Sequence, residues 1–282
     1  MRLRGIIGIL WGDIMEEYTL TDVCASVLQP FLSLINSVET DTVLLEFEDN
    51  TITIRALPYY RTILFLAELQ KRSFVKDFQI LSENKSQGEK LSKVIIVNPK
   101  YLYKYIERVA EGSKQITFAY NEKQRKLKLT FYFKNKKFDA FIPTLTTKPS
   151  DYEWLIQKSI EKPKEYMAVP REELVNILTL FYNVKATIIE INSKQNILEV
   201  NGFSELDMVR TTLQLVEVNN MEFNKVKIRF EGNFMKELYQ LFGKLNTKKV
   251  YLSYKNNTIN FYSEGVLEQN LAKIYITIPE SI

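Results

Sequence analysis

Lys93-Val94-Ile95-Ile96-Val97-Asn98-Pro99 begins a segment that runs strand, helix, alternating strands, and ends at Phe141-Ile142-Pro143-Thr144-Leu145. Its helical stretch opens on Asn98-Pro99 and closes at Gly112, the order in which helix start and stop signals occur. Lys225-Val226-Lys227-Ile228-Arg229 begins a second segment of the same plan, with a helical stretch stopped at Gly243 and the ending Ile276-Thr277-Ile278-Pro279-Glu280. Two copies of one plan build a pseudo-symmetric object, which suits a repeated surface better than a single catalytic cleft.

Outward from these segments the halves keep matching. Leu20, Val23, Cys24, Val27, Leu28, Phe31, Leu34, Ile35 and Val38 fall at helical spacing and predict a helix over 20–38, with Pro30 expected to kink it or end its first part. Val43–Phe47 and Thr51–Ala56 flank Glu48-Asp49-Asn50 as a hairpin, and Thr62–Leu69 reads as a further buried strand. The helix after Pro99 has Leu102, Tyr105, Ile106 and Val109 on its core face, and strands are predicted at 115–120, 126–133 and 137–142. In the second half a helix from Pro170 to about Tyr182 turns Leu174, Ile177, Leu178 and Phe181 inward, and a hairpin follows at 187–191 and 196–200. Between the halves lie Pro149, Pro163, a charged run from Lys158 to Lys164 and an apolar island at Trp154, Leu155, Ile156 and Ile160, the composition of a linker with one anchored patch. The expectation is an α+β chain in which each half is an antiparallel sheet with two helices on one face. Its parts are an extension (1–14), a first domain (15–145), a linker (146–166) and a second domain (167–282).

Composition narrows function. The 282 residues carry 38 Lys and Arg against 34 Asp and Glu, so a net charge of +4 alone does not establish a nucleic-acid partner. Histidine is absent, which removes the commonest general base and metal ligand, and the single Cys24 excludes an intrachain disulfide and fits a reducing compartment. There is no phosphate-binding loop and no paired metal-ligand spacing, so no catalytic residue, metal or cofactor is assigned. Met1–Ile14 has a short apolar run, Ile6–Trp11, without a small-residue cleavage site; it reads as an extension, with Met15 as an alternative start. No run approaches the roughly 20 apolar residues of a membrane span.

The element order over residues 18–281 resembles the sliding clamp family, specifically its proliferating cell nuclear antigen type, through Val97-Asn98, Lys137-Phe138-Asp139, Met167-Ala168-Val169-Pro170 and Tyr275-Ile276-Thr277-Ile278-Pro279-Glu280. The resemblance implies a non-enzymatic ring of three subunits, helices inside and sheets outside, around duplex DNA in the cytoplasm, nucleoid or nucleus. Such a ring tethers DNA polymerase and other enzymes carrying a short clamp-binding peptide, with a clamp loader as a further partner. It is a homotrimer, or a heterotrimer as second choice. The subunit joint would pair an edge strand near 126–134 (Lys126, Leu129, Phe131) with one near 208–216 (Val209, Thr211, Leu213). DNA-facing cations would be Lys100, Lys104, Arg108, Arg171, Lys236 and Lys244, Lys104 falling where the family places such a lysine. The partner pocket would comprise Leu57, Leu64, Ile156, Ile276 and Pro279.

One departure stands out. The outward side of the first helix (Thr21, Asp22, Ser26, Gln29, Ser33) carries no cation, and Asn176 and Thr179 stand where the family often has arginine. That favours weak DNA contact, a specialised subunit of a heteromeric ring, or a monomeric interaction module of the same fold. Tyr101, Tyr103 and Tyr105 are expected to pack at the core or its rim rather than to stack on bases.

Overall fold

Period-two alternations become strands and period-3.6 stripes become helices in the computed structural model, which describes residues 17–23, 25–38, 40–48, 51–57, 63–70, 93–110, 115–121, 123–230, 233–267 and 270–281. The first half comprises β1 (Glu17–Val23), α1 (Ala25–Ser37), β2 (Val43–Glu48), β3 (Thr51–Ala56), β4 (Leu64–Gln70), β5 (Lys93–Val97), α2 (Pro99–Ala110), β6 (Gln115–Asn121), β7 (Lys126–Tyr132) and β8 (Lys137–Pro143). A short helix, α3 (Tyr152–Gln157), lies in the linker. The second half comprises β9 (Tyr166–Pro170), α4 (Arg171–Asn183), β10 (Ile188–Lys194), β11 (Ile197–Phe203), β12 (Met208–Gln214), β13 (Glu217–Asn219), β14 (Val226–Arg229), α5 (Phe234–Lys244), β15 (Lys249–Lys255), β16 (Thr258–Leu267) and β17 (Asn270–Pro279).

The strands form three sheets, ordered β1-β6-β7-β8, β12-β11-β10-β14 and β13-β9-β15-β16-β17-β4-β3-β2-β5. The nine-stranded sheet crosses between the halves: β17 pairs antiparallel with β4, from Leu271 opposite Gln70 to Thr277 opposite Leu64. The other two sheets each stay within one half, so the halves join through the nine-stranded sheet and share one apolar core. Helix α1 packs on α2 and on α5, and α5 on α4, so the four long helices make one layer in the order α2-α1-α5-α4. Alternation in β2 assigns the two faces of the large sheet. Val43, Leu45 and Phe47 join the core with Val27, Phe31 and Ile35 of α1, while Leu44 belongs to a separate cluster on the opposite face.

Three expectations need correction. Residues 17–23 are a strand paired with β6, and the helix starts only at Ala25. The spacing of Leu20 and Val23 fits either period, and Tyr18, Thr19, Thr21 and Val23 supply the strand preference that decides it. Pro30 is inside α1 and does not end it. Packing of Val27, Leu28, Phe31, Leu32, Leu34 and Ile35, all at most 2% exposed, outweighs the roughly 3 kcal/mol cost of an interior proline. Helix α5 runs through Gly243 to Lys244 instead of stopping before it. The extension 1–14, Cys24, Asp49-Asn50 of the hairpin turn and Gly112 lie outside the described residues.

Candidate functional site

Among the described residues β8 has a single neighbour, β7, and β12 a single neighbour, β11, so each presents a free edge. This corrects the expected joint. Lys126, Leu129 and Phe131 lie on β7, which is paired on both sides by β6 and β8, and Leu129 and Phe131 are fully buried. An interior strand has no ladder groups left to offer. The edge is β8 instead, where Phe138 is 44% exposed beside Phe131, their ring centres 6.1 Å apart, and Phe141 is 48% exposed on the other face. Val209, Thr211 and Leu213 do lie on an edge strand. Beside it, Glu173, Asn176 and Ile177 of α4 together with Ile197 and residues 211–214 line an open cleft of about 430 Å³.

The helix layer carries a nearly balanced charge. Lys100 and Lys104 on α2 and Lys244 at the end of α5 are exposed, and Lys236 is half-buried. Arg108 is on α2, but its side chain is outside what the structure describes. Arg171 does not project freely: its Nη1 donates to Gly243 O at 3.3 Å and its Nη2 contacts Glu172 at 3.5 Å, which ties the start of α4 to the end of α5. Exposed Glu107, Glu172 and Glu173 and half-buried Glu237 share the same helices. Tyr103 and Tyr105 pack against the core as expected, Tyr103 also donating to Glu107 at 2.8 Å, whereas Tyr101 is 51% exposed. Between Tyr101 and Tyr105 the helix turns through four residues, slightly past one turn, and Tyr101 sits at the open end.

The linker lies on the opposite face of the large sheet. Leu155 and Ile160 are buried there with Leu44, Leu64, Leu66, Ile96 and Tyr262, and Leu57 and Ile156 pack against the same cluster. Ile276 does not join them; it is fully buried in the helix-side core because β17 alternates, turning Tyr275 outward and Ile276 inward. Pro279 ends β17 opposite Thr258 and is half-buried outside that cluster. Trp154 is 45% exposed with the Lys158 ammonium 4.6 Å from its ring, and the Lys148 ammonium lies 4.2 Å from the Tyr152 ring.

Two polar clasps hold this segment, and neither is anticipated by the sequence reading. Arg55 on β3, paired with Glu46 on β2 at 3.0 Å, donates to Leu155 O at 3.0 Å and to Lys158 O at 2.5 Å. At the far end Lys162 sits 3.9 Å from the Tyr166 ring and 4.3 Å from the Tyr251 ring and donates to Tyr166 Oη, which donates in turn to Glu217. Lys249, ion-paired with Glu217 at 2.5 Å, and Tyr166 hold that carboxyl below its usual range. The signal for the first clasp was present: a charged residue inside the apolar alternation Ile52-Thr53-Ile54-Arg55-Ala56 needs a buried partner.

Among the described residues no group of three or more His, Cys, Asp or Glu is placed to hold a metal ion, and no helix is long and apolar enough to cross a membrane. No protein-family model matches the sequence, and no curated protein matches it at a significant level. Solved structures do match in fold. Proliferating cellular nuclear antigen from Entamoeba histolytica superposes with a TM-score of 0.63 at 14% identity, over 94% of this chain and 98% of that one. The antigen from Thermococcus kodakaraensis gives 0.62 at 12% identity, over 94% and 99%. The PCNA2–PCNA3 complex from Sulfolobus tokodaii gives 0.61 at 10% identity, over 94% and 98%. At these identities the likeness shows the fold, and the chain has the α+β fold of PCNA-type sliding clamps.

Proposed function

We propose that this chain is a subunit of a ring-forming sliding clamp that encircles duplex DNA and docks replication and repair enzymes through short peptides. The observation that carries the reading is that, among the described residues, β8 and β12 are end strands of different sheets of one chain, each paired with a single neighbour. A long unpaired edge is a liability unless another strand covers it, and two unlike edges on one subunit suit head-to-tail joining, which gives a ring where the rotation per subunit closes. The side-chain alternation limits the registers to those that match the core-side faces, and one of them also brings Phe138 to Leu213. Antiparallel pairing with Phe138 opposite Leu213 sets Ala140 opposite Thr211 and Ile142 opposite Val209, so the core-side face of β8 continues onto that of β12. Phe138 then lies near the open cleft beside β12, which at about 430 Å³ has room for its ring.

The DNA-facing set in this reading is Lys100, Lys104, Arg108, Lys236 and Lys244, with Arg171 contributing field rather than a direct contact. Phosphate contact of this kind is independent of sequence and loose enough to slide. Partner peptides dock around Leu57, Leu64 and Ile156 beside Trp154, with Pro279 at the margin. A second reading is favoured by the nearly even charge of the helix layer: a subunit of a mixed ring whose other members supply more cations. One of the similar structures is a complex of two different clamps.

Light scattering across a wide concentration range tests the proposal. A stable mass near three times 33.1 kDa supports the homotrimer. A chain that stays monomeric alone but enters a three-subunit ring with related subunits supports the mixed ring, and persistent monomer under both conditions overturns ring formation.

A further inference from the structure

Helix α3 spans only six residues, and an isolated helix of that length does not hold itself in water. Its first turn has no side-chain cap hydrogen bond and its last turn no basic residue, so its order comes from outside. One source is apolar, the 2% exposed Leu155 seated among Leu44, Leu64, Leu66 and Tyr262. The other is Arg55. Its Nη1 reaches the carbonyls of Leu155 and Lys158 at the carboxyl end of α3, where the helix dipole favours a cation, while Nε and Nη2 donate to Glu46 Oε2 at 3.3 and 3.0 Å. Arg55 and Glu46 are each 8% exposed, so a guanidinium fork held rigid by a buried carboxylate grips the linker backbone.

We propose that Glu46 and Arg55 are positioning residues that fix α3 on the sheet before any partner arrives, so that Trp154 and Ile156 form a preformed contact surface. A partner meeting this surface avoids most of the ordering entropy that a mobile connector would cost it. That benefit rests on the docking function proposed above; the pinning of α3 does not. On this reading the pair positions α3 and does not hold the fold as a whole. Replacing a buried ion pair by apolar side chains of similar volume is often neutral, whereas removing one partner strands the other charge.

The test therefore removes both charges at once. In a Trp11→Phe background Trp154 is the sole tryptophan, and the double substitution Glu46→Leu with Arg55→Met is compared with the parent by thermal melting, amide hydrogen exchange, tryptophan emission and acrylamide quenching. The expected result is an essentially unchanged melting transition and unchanged protection in β17. The amides of 155–158 exchange at least tenfold faster, and Trp154 emission moves to the red with stronger quenching. Unchanged exchange at 155–158 and unchanged emission overturn the proposal. So does an equal loss of protection in β17, because the pair would then serve the whole fold. Neither DNA nor a partner enters the measurement, so failure of the ring or docking function leaves its outcome interpretable.

Discussion

Phe138→Ser is the perturbation that most directly tests how the edges are used. Phe138 is 44% exposed in the single chain although it lies on the core-side face of β8. An aromatic side chain buries about 150–250 Å² when fully covered, so about 70–110 Å² remains for a neighbouring subunit to cover. At about 25 cal/mol per Å² this is about 2 kcal/mol per joint, a factor of about 30 in the affinity of one edge for the other. The proposed three-subunit ring would contain three such joints, so the concentration at which the assembly half-dissociates would rise by at least that factor. Sedimentation velocity over a dilution series reads the shift directly. Trp154→Ser is the matched control, since Trp154 is equally exposed at 45% but sits on the linker face. An unchanged dissociation midpoint for Phe138→Ser, or an equal shift for Trp154→Ser, would refute the β8–β12 joint. Substitutions in β7 do not make this test, because Leu129 and Phe131 hold the core and their loss unfolds the sheet before it opens a joint.

Replacing Lys100, Lys104, Lys236 and Lys244 together by alanine is expected to shorten retention on closed-circular DNA and to lower the slope of log affinity against log salt by about 0.9 for each phosphate no longer neutralised. An unaltered slope would remove the helix layer as the DNA-facing surface. Gly265→Ala is expected to cost about 1–3 kcal/mol in urea unfolding, because a Cβ there would stand 2.7 Å from the backbone oxygen of Asn246. Gly243→Ala, whose nearest neighbour would be Val175 at 4.0 Å in a helical turn, should instead be neutral or stabilising, and a reversed order would contradict the packing at these sites. The clasp at the foot of the linker should weaken in acid. Lys249 and Tyr166 hold the Glu217 carboxyl below its usual range, so its stabilisation is present above the ordinary carboxylate pKa and is lost as pH falls through the lowered value. Amide protection at 162 and 164–166, taken relative to the intrinsic exchange rate at each pH, should fall in that window, and Glu217→Gln should abolish this loss of protection; a loss that survives the substitution assigns it elsewhere.

Much of the architecture was legible from spacing alone. The helices at 99–110 and 171–183 and the strands β6 to β8 are set by local apolar periodicity and by signals such as Asn98-Pro99, and each lies within a residue or two of its predicted bounds. The doubled element order was equally local, and it carried the resemblance that the fold bears out. What failed was decided by partners far along the chain. Residues 17–23 are a strand because β6 waits for them, and Pro30 stays in a helix because α1 packs against both α2 and α5.

The candidate site divides the same way. Sequence placed Val209, Thr211 and Leu213 on an edge, grouped Leu57, Leu64 and Ile156, and named the helix cations. It could not tell β7 from β8 as the edge, since both alternate well and edge status is a property of what lies alongside. It could not see that Ile276 turns to the helix side, because one residue of register exchanges the two faces of a strand. Nor could it foresee the grip of Arg55 on Leu155 and Lys158, across 100 and 103 residues of chain. Local periodicity and composition determined which elements form and that a non-catalytic, repeated surface was the expectation. Tertiary structure alone decided which edges stay open, which charges are spent on neighbouring helices, and which side chains hold the linker, because each depends on a contact between segments that are distant in sequence.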